Sequence, residues 1–198
     1  MEYRKLTLQE TLAQLLEPIP TCILFHVNPD ADAIGSAFAL AAFLEEQGSK
    51  CYCLCACEVP ERLQFLVNGM QKSVLPASLP AEFENARIIT VDTASPAQLG
   101  ALYELYGDRI SLMIDHHGKG TPYADHLIVP EAAACGEIVF DLIAASGKEA
   151  PEVCAALLYA DVSGGSVSVF NNFFWSDYFV LSRRKDSGRM RTGSLKNL

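Results

Sequence analysis

The sequence predicts an α/β fold, a doubly wound, mainly parallel, Rossmann-like sheet of about five strands with helices on both faces. Short apolar runs of strand length alternate along the chain with helical segments, as they do in successive βα units. These runs are continuously apolar, which is typical of parallel strands buried on both faces. Half of the 198 residues are hydrophobic, which suffices for one well-buried domain.

Each predicted strand is an apolar run that is broken by Pro, Gly or a charged residue. The predicted strands are CILFHV (22–27), CYCLCA (51–56), RIITVD (87–92) and ISLMID (110–115). Thr7 and Glu10 predict a capping box that opens a short helix through Leu16. The helix after the first strand is expected to begin near Ala33 and to stop at Gly48. The other predicted helices are 60–69, 95–107, 131–147 and 151–160, and residues 73–86 are predicted to be a connector.

Composition divides the chain near residue 162. The segment 163–198 has no helical or strand period, clusters aromatic residues and then becomes basic and rich in Ser and Gly. We therefore expect a folded domain over 1–162 and an atypical, poorly ordered tail over 163–198. The first 182 residues hold 9 basic and 23 acidic residues, a net charge of −14. This negative charge does not favour binding to long duplex nucleic acid.

The seven cysteines are predicted to be buried, reduced thiols. The core is large enough to be stable without disulfide bonds, and the sequence contains no CxxC pair. Cys51, Cys53, Cys55 and Cys57 alternate, so we expect them to share one strand face and not to pair with their immediate neighbours. No apolar run reaches the ~18 residues of a membrane span. A polar N-terminus without an apolar signal core and the reduced thiols together predict a cytoplasmic location without a membrane partner.

Three groups of acids and histidines each follow a predicted strand, and strand ends of a parallel sheet open onto one crevice. The groups are His26, Asp30 and Asp32; Asp92; and Asp115, His116 and His117. Imidazoles and carboxylates gathered in this way suit a pair of divalent metals. His126 is predicted to be a loop residue.

The individual residues leave alternatives open. Asp30 and Asp32 lie on a predicted loop that would send them to opposite sides, or they simply cap the next helix. The start of that helix, with Gly35 and Ser36, would accept a phosphate. Asp92 either bridges two ions or is an ordinary turn acid. The two adjacent histidines of the third group are expected to point to opposite faces, with Asp115 orienting an imidazole.

The runs HVNPDADAIGS, VDTA and IDHH resemble the first three motifs of the DHH phosphoesterases. The sequence is most similar to the branch of bacterial nano-RNases that also act as phosphatases of 3'-phosphoadenosine 5'-phosphate (pAp), and to cyclic-di-AMP phosphodiesterase domains. The resemblance covers residues 1–162. It implies a two-manganese centre, with His117 on the phosphate and Asp92 as a catalytic residue. The implied ligands are His26, Asp30 and Asp92 for one ion, and Asp32, Asp92 and His116 for the other.

The sequence departs from this family at two points. A fourth motif should place an acid near Gly165, and Asp161 lies four residues too early, so the second metal site is expected to be incomplete. The family's second, nucleotide-gripping domain is also absent from the sequence. The tail resembles what a frameshift or a truncation would append.

The resemblance implies a manganese-dependent phosphoesterase that acts on short oligoribonucleotides, linear dinucleotides or pAp. The rival readings are a truncated remnant that binds metal or nucleotide without turnover, and an activity like that of family II inorganic pyrophosphatases. The expected partner is a nucleotide or short oligoribonucleotide substrate. A homodimer is an alternative that the sequence leaves undecided.

Overall fold

A single parallel sheet organises the part of the chain that this computed structural model describes, which is residues 3–67, 73–74 and 79–163. Its strands are β1 (Thr21–Leu24), β2 (Cys51–Leu54), β3 (Ser73–Val74), β4 (Arg87–Val91), β5 (Ile110–Asp115) and β6 (Asp125–Ile128). Their order is β3-β2-β1-β4-β5-β6, and every neighbouring pair is parallel. The predicted α/β class is confirmed, with six strands where about five were expected.

The order of the strands places a crevice at the centre of the sheet. From β1 the chain proceeds to β2 and β3 on one side, and then returns to build β4, β5 and β6 on the other side. The order therefore reverses between β1 and β4, and ligands of open α/β sheets bind beyond the carboxyl ends of the strands at such a switch point. The residues that follow Leu24 and Val91 lie at this crevice.

Six α-helices accompany the described strands. They are α1 (Leu8–Leu15), α2 (Ala31–Glu46), α3 (Gln64–Val67), α4 (Ala101–Tyr106), α5 (Cys135–Ser146) and α6 (Glu152–Ser163). The capping box of α1 is confirmed, since Thr7 Oγ1 accepts from Glu10 N at 3.2 Å and Glu10 Oε2 accepts from Thr7 N at 2.8 Å. Helix α2 packs against α5 and α6, and eleven of its sixteen residues are buried.

The start of α2 corrects the expected helix boundary. The helix begins at Ala31, because Asp30 takes the N-cap position and accepts a hydrogen bond from Ala33 N at 3.0 Å. Asp32 therefore lies in the first helical turn, and the predicted loop with acids on opposite sides is wrong. Helix α2 thus begins earlier than predicted, whereas helix α5 begins later than predicted, at Cys135.

The predicted helix 95–107 is divided in two. A 3₁₀ helix over Pro96–Leu99 ends at Gly100, whose φ of +55° interrupts the helix before α4. A Cβ at Gly100 would lie 3.0 Å from Val27 Cγ1, so only glycine fits this position without a shift. Likewise, the predicted helix 60–69 is a 3₁₀ helix over Glu61–Leu63 followed by the short α3.

Two strands were not predicted. The expected connector 73–86 contains β3 and a 3₁₀ helix over Ala81–Phe83. His126 lies in β6 and not in a loop, because its N–H and C=O bond to Arg4 O at 2.9 Å and Leu6 N at 2.7 Å. Residues 4–6 thus cover the β6 edge of the sheet.

All seven cysteines are free, and six of them are buried. None of the helices in the described residues is long and apolar enough to cross a membrane. The described residues belong to a compact unit over Met1–Ser166, and a second unit, Val167–Leu198, lies outside them. The predicted boundary at 162 and the predicted poor order of the tail therefore remain predictions.

Candidate metal centre

Three segments bring their acids and histidines together beyond the carboxyl ends of β1, β4 and β5. Asp92 lies at the centre and is 2% exposed. Its Oδ2 is 3.4 Å from His26 Nε2, and its Oδ1 is 3.5 Å from His116 Nε2. The two oxygens of one carboxylate thus face two different imidazoles.

The first cluster is His26, Asp30 and Asp92. His26 Nε2 lies 3.6 Å from Asp30 Oδ1. The other ring nitrogen, Nδ1, is 2.8 Å from Val27 O, and because a carbonyl only accepts, Nδ1 carries the hydrogen. Nε2 of the neutral ring then presents a lone pair to the carboxylates, which is the arrangement of a metal-ligating histidine.

His116 repeats this arrangement on the other side of Asp92. Its Nδ1–H donates to Ala132 O at 3.2 Å, so Nε2 of the neutral ring again presents a lone pair. Nε2 lies 3.5 Å from Asp32 Oδ2 as well as 3.5 Å from Asp92 Oδ1. Because Asp92 and Asp32 both approach this nitrogen, we take Asp92, His116 and Asp32 as the second cluster. His117 is a further side chain close enough to Asp92 and His116 to hold an ion with them.

His117 also lies near Asp92 Oδ1, at 3.7 Å from Nδ1. The same Nδ1 donates to Asp115 Oδ1 at the much shorter distance of 2.8 Å, so it is not available as a metal ligand while that bond is made. Nε2 is left for another partner, and the side chain is 43% exposed. The expectation that His116 and His117 point to opposite faces is wrong, since both rings approach one oxygen after β5 and its two-residue period have ended.

Asp32 has a second task, because it fixes the start of α5. Its carboxylate accepts from Cys135 N at 2.9 Å, from Gly136 N at 3.0 Å and from Ser36 Oγ at 2.9 Å. The N-cap residue Ala134 has no side chain that could cap the helix itself. The sequence analysis missed this contact, although a helix start without its own Ser, Thr, Asp or Asn was the signal for it.

Gly35 and Ser36, predicted to receive a phosphate, lie in the buried part of α2. The Ser36 side chain is fully buried and its hydroxyl hydrogen is used by Asp32. The structure thus places Ser36 as a support for Asp32. Asp161 lies in the last turns of α6, where the structure describes the backbone and not the side chains. Gly165 lies outside the described residues.

The backbone is strained where the ligand candidates leave their strands. Asp92 has a φ of +52° and Asn28 a φ of +54°, both in the left-handed region. Asp and Asn tolerate this region better than other non-glycine residues, and such conformations cluster at functional sites.

Gln98 holds the first and second segments together, and it too was missed. Its backbone carbonyl accepts from Val27 N at 2.8 Å, and its side-chain Oε1 accepts from Ala94 N at 2.6 Å and Ser95 N at 3.1 Å. One residue of the 3₁₀ helix thereby links the segment of His26 to the segment of Asp92. Its capping-box spacing after Ser95 was the available sequence signal.

The electrostatics of the centre follow from packing imidazoles against buried carboxylates. Burial lowers the pKa of His26, but the nearby carboxylates of Asp30 and Asp92 outweigh it and raise that pKa to about 10. The carboxylate of Asp92 raises the pKa of His116 to about 9. Burial opposes ionisation of Asp92, yet the imidazoles of His116 and His26 lower its pKa to about 2. Burial raises the pKa of Asp115, while the imidazole of His26 lowers that of Asp30.

The residues present fit a pair of divalent ions. Asp92 Oδ1 is a buried oxygen with no hydrogen-bond partner among the described residues, which is costly unless something else satisfies it. The N···O separations of 3.4–3.6 Å exceed ordinary hydrogen bonds. They match two ligand atoms that share one ion at about 2.0–2.2 Å each.

Fold and site together define the class, a doubly wound α/β domain with a candidate histidine–carboxylate metal centre at its switch point. Residues 20–161 match the DHH family, N-terminal domain. The chain therefore belongs to the DHH family.

Curated relatives agree with this assignment. The chain is 32% identical over 142 residues to the bifunctional oligoribonuclease and PAP phosphatase NrnA of Thermus thermophilus, covering 70% of this chain and 41% of that protein. It is 31% identical over 148 residues to the uncharacterized protein MG371 homolog of Mycoplasma pneumoniae, covering 69% of this chain and 42% of that protein. The chain thus spans about two fifths of the length of these relatives.

A solved structure shares the fold. An exopolyphosphatase-related protein from Bacteroides fragilis superposes with a TM-score of 0.72 at 23% identity, covering 88% of this chain and 55% of that chain. At this identity the likeness concerns the fold.

Proposed function

We propose that the chain is a manganese-dependent phosphoesterase that hydrolyses short oligoribonucleotides, linear dinucleotides or pAp with two ions that share Asp92. The observation that carries the proposal is the geometry of Asp92, whose two buried oxygens each face a separate imidazole at 3.4–3.5 Å. A carboxylate placed between two clusters is the element that two-metal hydrolytic sites require. The Thermus relative is an oligoribonuclease and PAP phosphatase, which supports the substrate class.

The proposed ligands follow from the clusters. One ion would be held by His26, Asp30 and Asp92, and the other by Asp92, His116 and Asp32. Carboxylates suit manganese and imidazoles suit other first-row divalent metals, so the mixed set fits a first-row divalent ion. Manganese is the ion that the resemblance to the DHH phosphoesterases implies. When bound, two such ions supply a nucleophile at neutral pH and Lewis acidity at the phosphoryl oxygens.

The remaining residues would orient the substrate and the ligands. His117 would donate from Nε2–H to a phosphoryl oxygen as an imidazolium, the form in which both ring nitrogens are donors and Nδ1–H is held by Asp115 at 2.8 Å. Asp115 fixes the ring and its protonated nitrogen from a fully buried position. The hydrogen bonds of Asp32 to the α5 amides fix its carboxylate beside His116.

The charge of the domain limits the substrate to small molecules. A net charge of −14 over residues 1–182 would repel the extended phosphate backbone of a long duplex. A nucleotide or a short oligoribonucleotide instead places one or two phosphates at a centre that the ions neutralise. We also propose a cytoplasmic location, supported by seven free cysteines. A homodimer remains a prediction.

The first experiment is release of phosphate from pAp by the purified chain with and without Mn²⁺. We expect release that requires the metal and that falls by at least about 10³-fold in Asp92→Ala, because the variant loses a ligand of both proposed ions. The thermal unfolding curve of Asp92→Ala shows whether the variant is folded. Equal rates in the folded variant and the wild type would contradict the proposal.

The same assay separates the rival readings. Pyrophosphate in place of pAp tests an activity like that of the pyrophosphatases. A folded chain that binds Mn²⁺ and releases phosphate from neither substrate would favour the inactive remnant. In that case Gly165→Asp tests the missing fourth-motif acid, since restored metal stoichiometry without a gain in rate would argue against that explanation.

A further inference from the structure

Two cysteines lie at the rim of the crevice and have no part in the proposed metal centre. Strand β2 ends at Leu54, so Cys55 and Cys57 follow its carboxyl end next to β1. The chain bends at Ala56 and Cys57, and the two Sγ atoms lie 3.5 Å apart. Cys55 is buried and Cys57 is partly exposed. The expectation that cysteines 51–57 share one strand is wrong for Cys55 and Cys57, because the strand ends at Leu54. Both are free thiols, as expected.

Both thiols contact the segment that carries His26. The Cys55 thiol donates to His26 O at 3.2 Å, and Cys57 Sγ accepts from Asn28 N at 2.9 Å. These contacts lie on either side of Val27, whose carbonyl fixes the His26 ring. Asn28 has a φ of +54°, so the segment depends on its contacts to keep a strained conformation.

We propose that Cys55 and Cys57 are an oxidation site, which closes an intramolecular disulfide and thereby weakens the first metal cluster. The oxidant is a small-molecule disulfide such as glutathione disulfide. Cys57, the more accessible thiol, attacks one glutathione sulfur, forming a mixed disulfide and releasing one glutathione thiol. Cys55 then attacks Sγ of Cys57 and releases the second glutathione. The two thiol hydrogens of the protein end on the two glutathione molecules.

The geometry allows this closure with a small movement. A disulfide needs an S–S distance of about 2.05 Å, so the two sulfurs must approach by about 1.5 Å. The bend at Ala56 and Cys57 brings the sulfurs of residues two apart onto the same side. Neither cysteine is one of the proposed metal ligands.

Formation of the disulfide would remove two contacts of the segment that carries His26. The disulfide removes the thiol hydrogen of Cys55, so His26 O loses its donor. It also draws Cys57 Sγ away from Asn28 N. Loss of contacts that orient a ligand costs about 10–100-fold in metal affinity, and the first cluster is the one affected.

The disulfide itself is tested by mass spectrometry. The full chain is incubated with glutathione disulfide, remaining thiols are blocked with N-ethylmaleimide, and the proteolytic peptide containing residues 55 and 57 is analysed. The peptide between Lys50 and Arg62 also contains Cys51 and Cys53. After blocking of the unfolded chain, we expect this peptide to carry two blocked thiols, at Cys51 and Cys53, and to lack two hydrogen atoms at Cys55 and Cys57. This species should be absent from Cys57→Ser. Cys154→Ser is the matched control, since Cys154 is buried on α6 and bonds to Ala39 O, and it should give the same disulfide as the wild type.

The coupling is tested by calorimetric titration with Mn²⁺ before and after oxidation. We expect about 10-fold or greater weakening of one binding event in the wild type and in Cys154→Ser. Cys57→Ser keeps an acceptor for Asn28 N and should bind Mn²⁺ equally before and after treatment. A stable glutathione adduct on Cys57, two unmodified thiols, or a closed disulfide with unchanged Mn²⁺ affinity would each overturn the proposal. The proposal rests on the metal cluster of the proposed function, but the mass spectrometry requires neither metal nor hydrolytic activity. A disulfide that closes in a chain that binds no Mn²⁺ would overturn the coupling together with the proposed metal centre, whereas absence of the disulfide would overturn this proposal alone.

Discussion

At the scale of single residues, the buried carboxylate of Asp92 explains why the centre needs a positive charge beside it. A carboxylate that is 2% exposed is costly to bury, and the imidazoles of His26 and His116 offset that cost when they are protonated. The raised pKa values of both histidines mean that, without metal, protons hold the positive charge that the ions would supply. Metal binding should therefore release protons.

Asp115→Asn tests the proposed orientation of His117. The variant keeps an oxygen that accepts from Nδ1–H, but it loses the charge that makes the 2.8 Å bond strong. We expect kcat for pAp to fall by about 10–100-fold, while the Mn²⁺ affinity stays within about 2-fold of the wild type. Steady-state kinetics and calorimetry measure the two quantities. A loss of Mn²⁺ binding as large as the loss of kcat would instead make Asp115 part of the metal centre.

The residue types of the site could be predicted from the sequence, and their bonds could not. Apolar runs that end in His, Asp and Asp-His-His mark strand ends, and strand ends of a parallel sheet meet. Backbone angles such as the φ of +52° at Asp92 decide which atoms meet. They bring His116 to Asp92 Oδ1 and let His117 bond to Asp115 through Nδ1. A left-handed non-glycine residue leaves no signal in a hydrophobic pattern.

At the scale of elements, helices α2 and α5 are joined through a candidate ligand. Asp32 extends from the first turn of α2 to the amides of Cys135 and Gly136, where the positive end of the α5 dipole favours its charge. The position of β5 beside α5 then sets the distance to His116. The second metal cluster is thus built on the packing of two helices against the sheet.

Asp32→Ala should destabilise the protein even without metal. The α5 amides lose their acceptor, as in the loss of an N-cap, so we expect the free energy of unfolding to fall by about 1–2 kcal/mol in the presence of EDTA. Urea unfolding measures it. His116→Ala is the control and is compared above about pH 9, where the contribution of the imidazole charge is lost and the α5 amide bonds of Asp32 stay intact. A metal-free Asp32→Ala protein as stable as the wild type would show that α5 does not depend on this carboxylate.

The elements missed by sequence analysis share a physical cause. Strand β3 has two residues, and β6 reads Asp-His-Leu-Ile, so neither offers an apolar run of the usual length. Both lie at the edges of the sheet, where a strand has a neighbouring strand on one side alone and the apolar pattern weakens. The four central strands, buried on both faces, were all predictable.

At the scale of the whole molecule, the pH dependence of stability follows from the centre. The pKa values of His26 and His116 are raised from 6.5 to about 10 and about 9. Their contribution to stability is therefore fully present below pH 6.5 and is lost as the pH rises through 9 to 10. The pKa of Asp92 is lowered from 3.8 to about 2, so its contribution is present above pH 3.8 and is lost as the pH falls through about 2.

The metal-free protein should accordingly be most stable between pH 3.8 and 6.5, and it should lose stability from pH 6.5 towards about 9. The loss is of the order of 1 kcal/mol per pH unit for each imidazole, which is about 2–4 °C in Tm for a domain of this size. Thermal unfolding in EDTA across this range measures it. Asp92→Asn should reduce the slope, because each histidine then loses one of the two carboxylates that raise its pKa, while Asp30 still faces His26 and Asp32 still faces His116.

Mn²⁺ should cancel this trend. The ions replace the two protons, so the stabilisation that they provide grows with pH as the competition from protons fades. The difference in Tm between the Mn²⁺-loaded and the EDTA-treated protein should therefore widen from pH 6.5 towards 9. A difference that is constant with pH would mean that binding displaces no protons, and the two imidazoles would then not be the ligands.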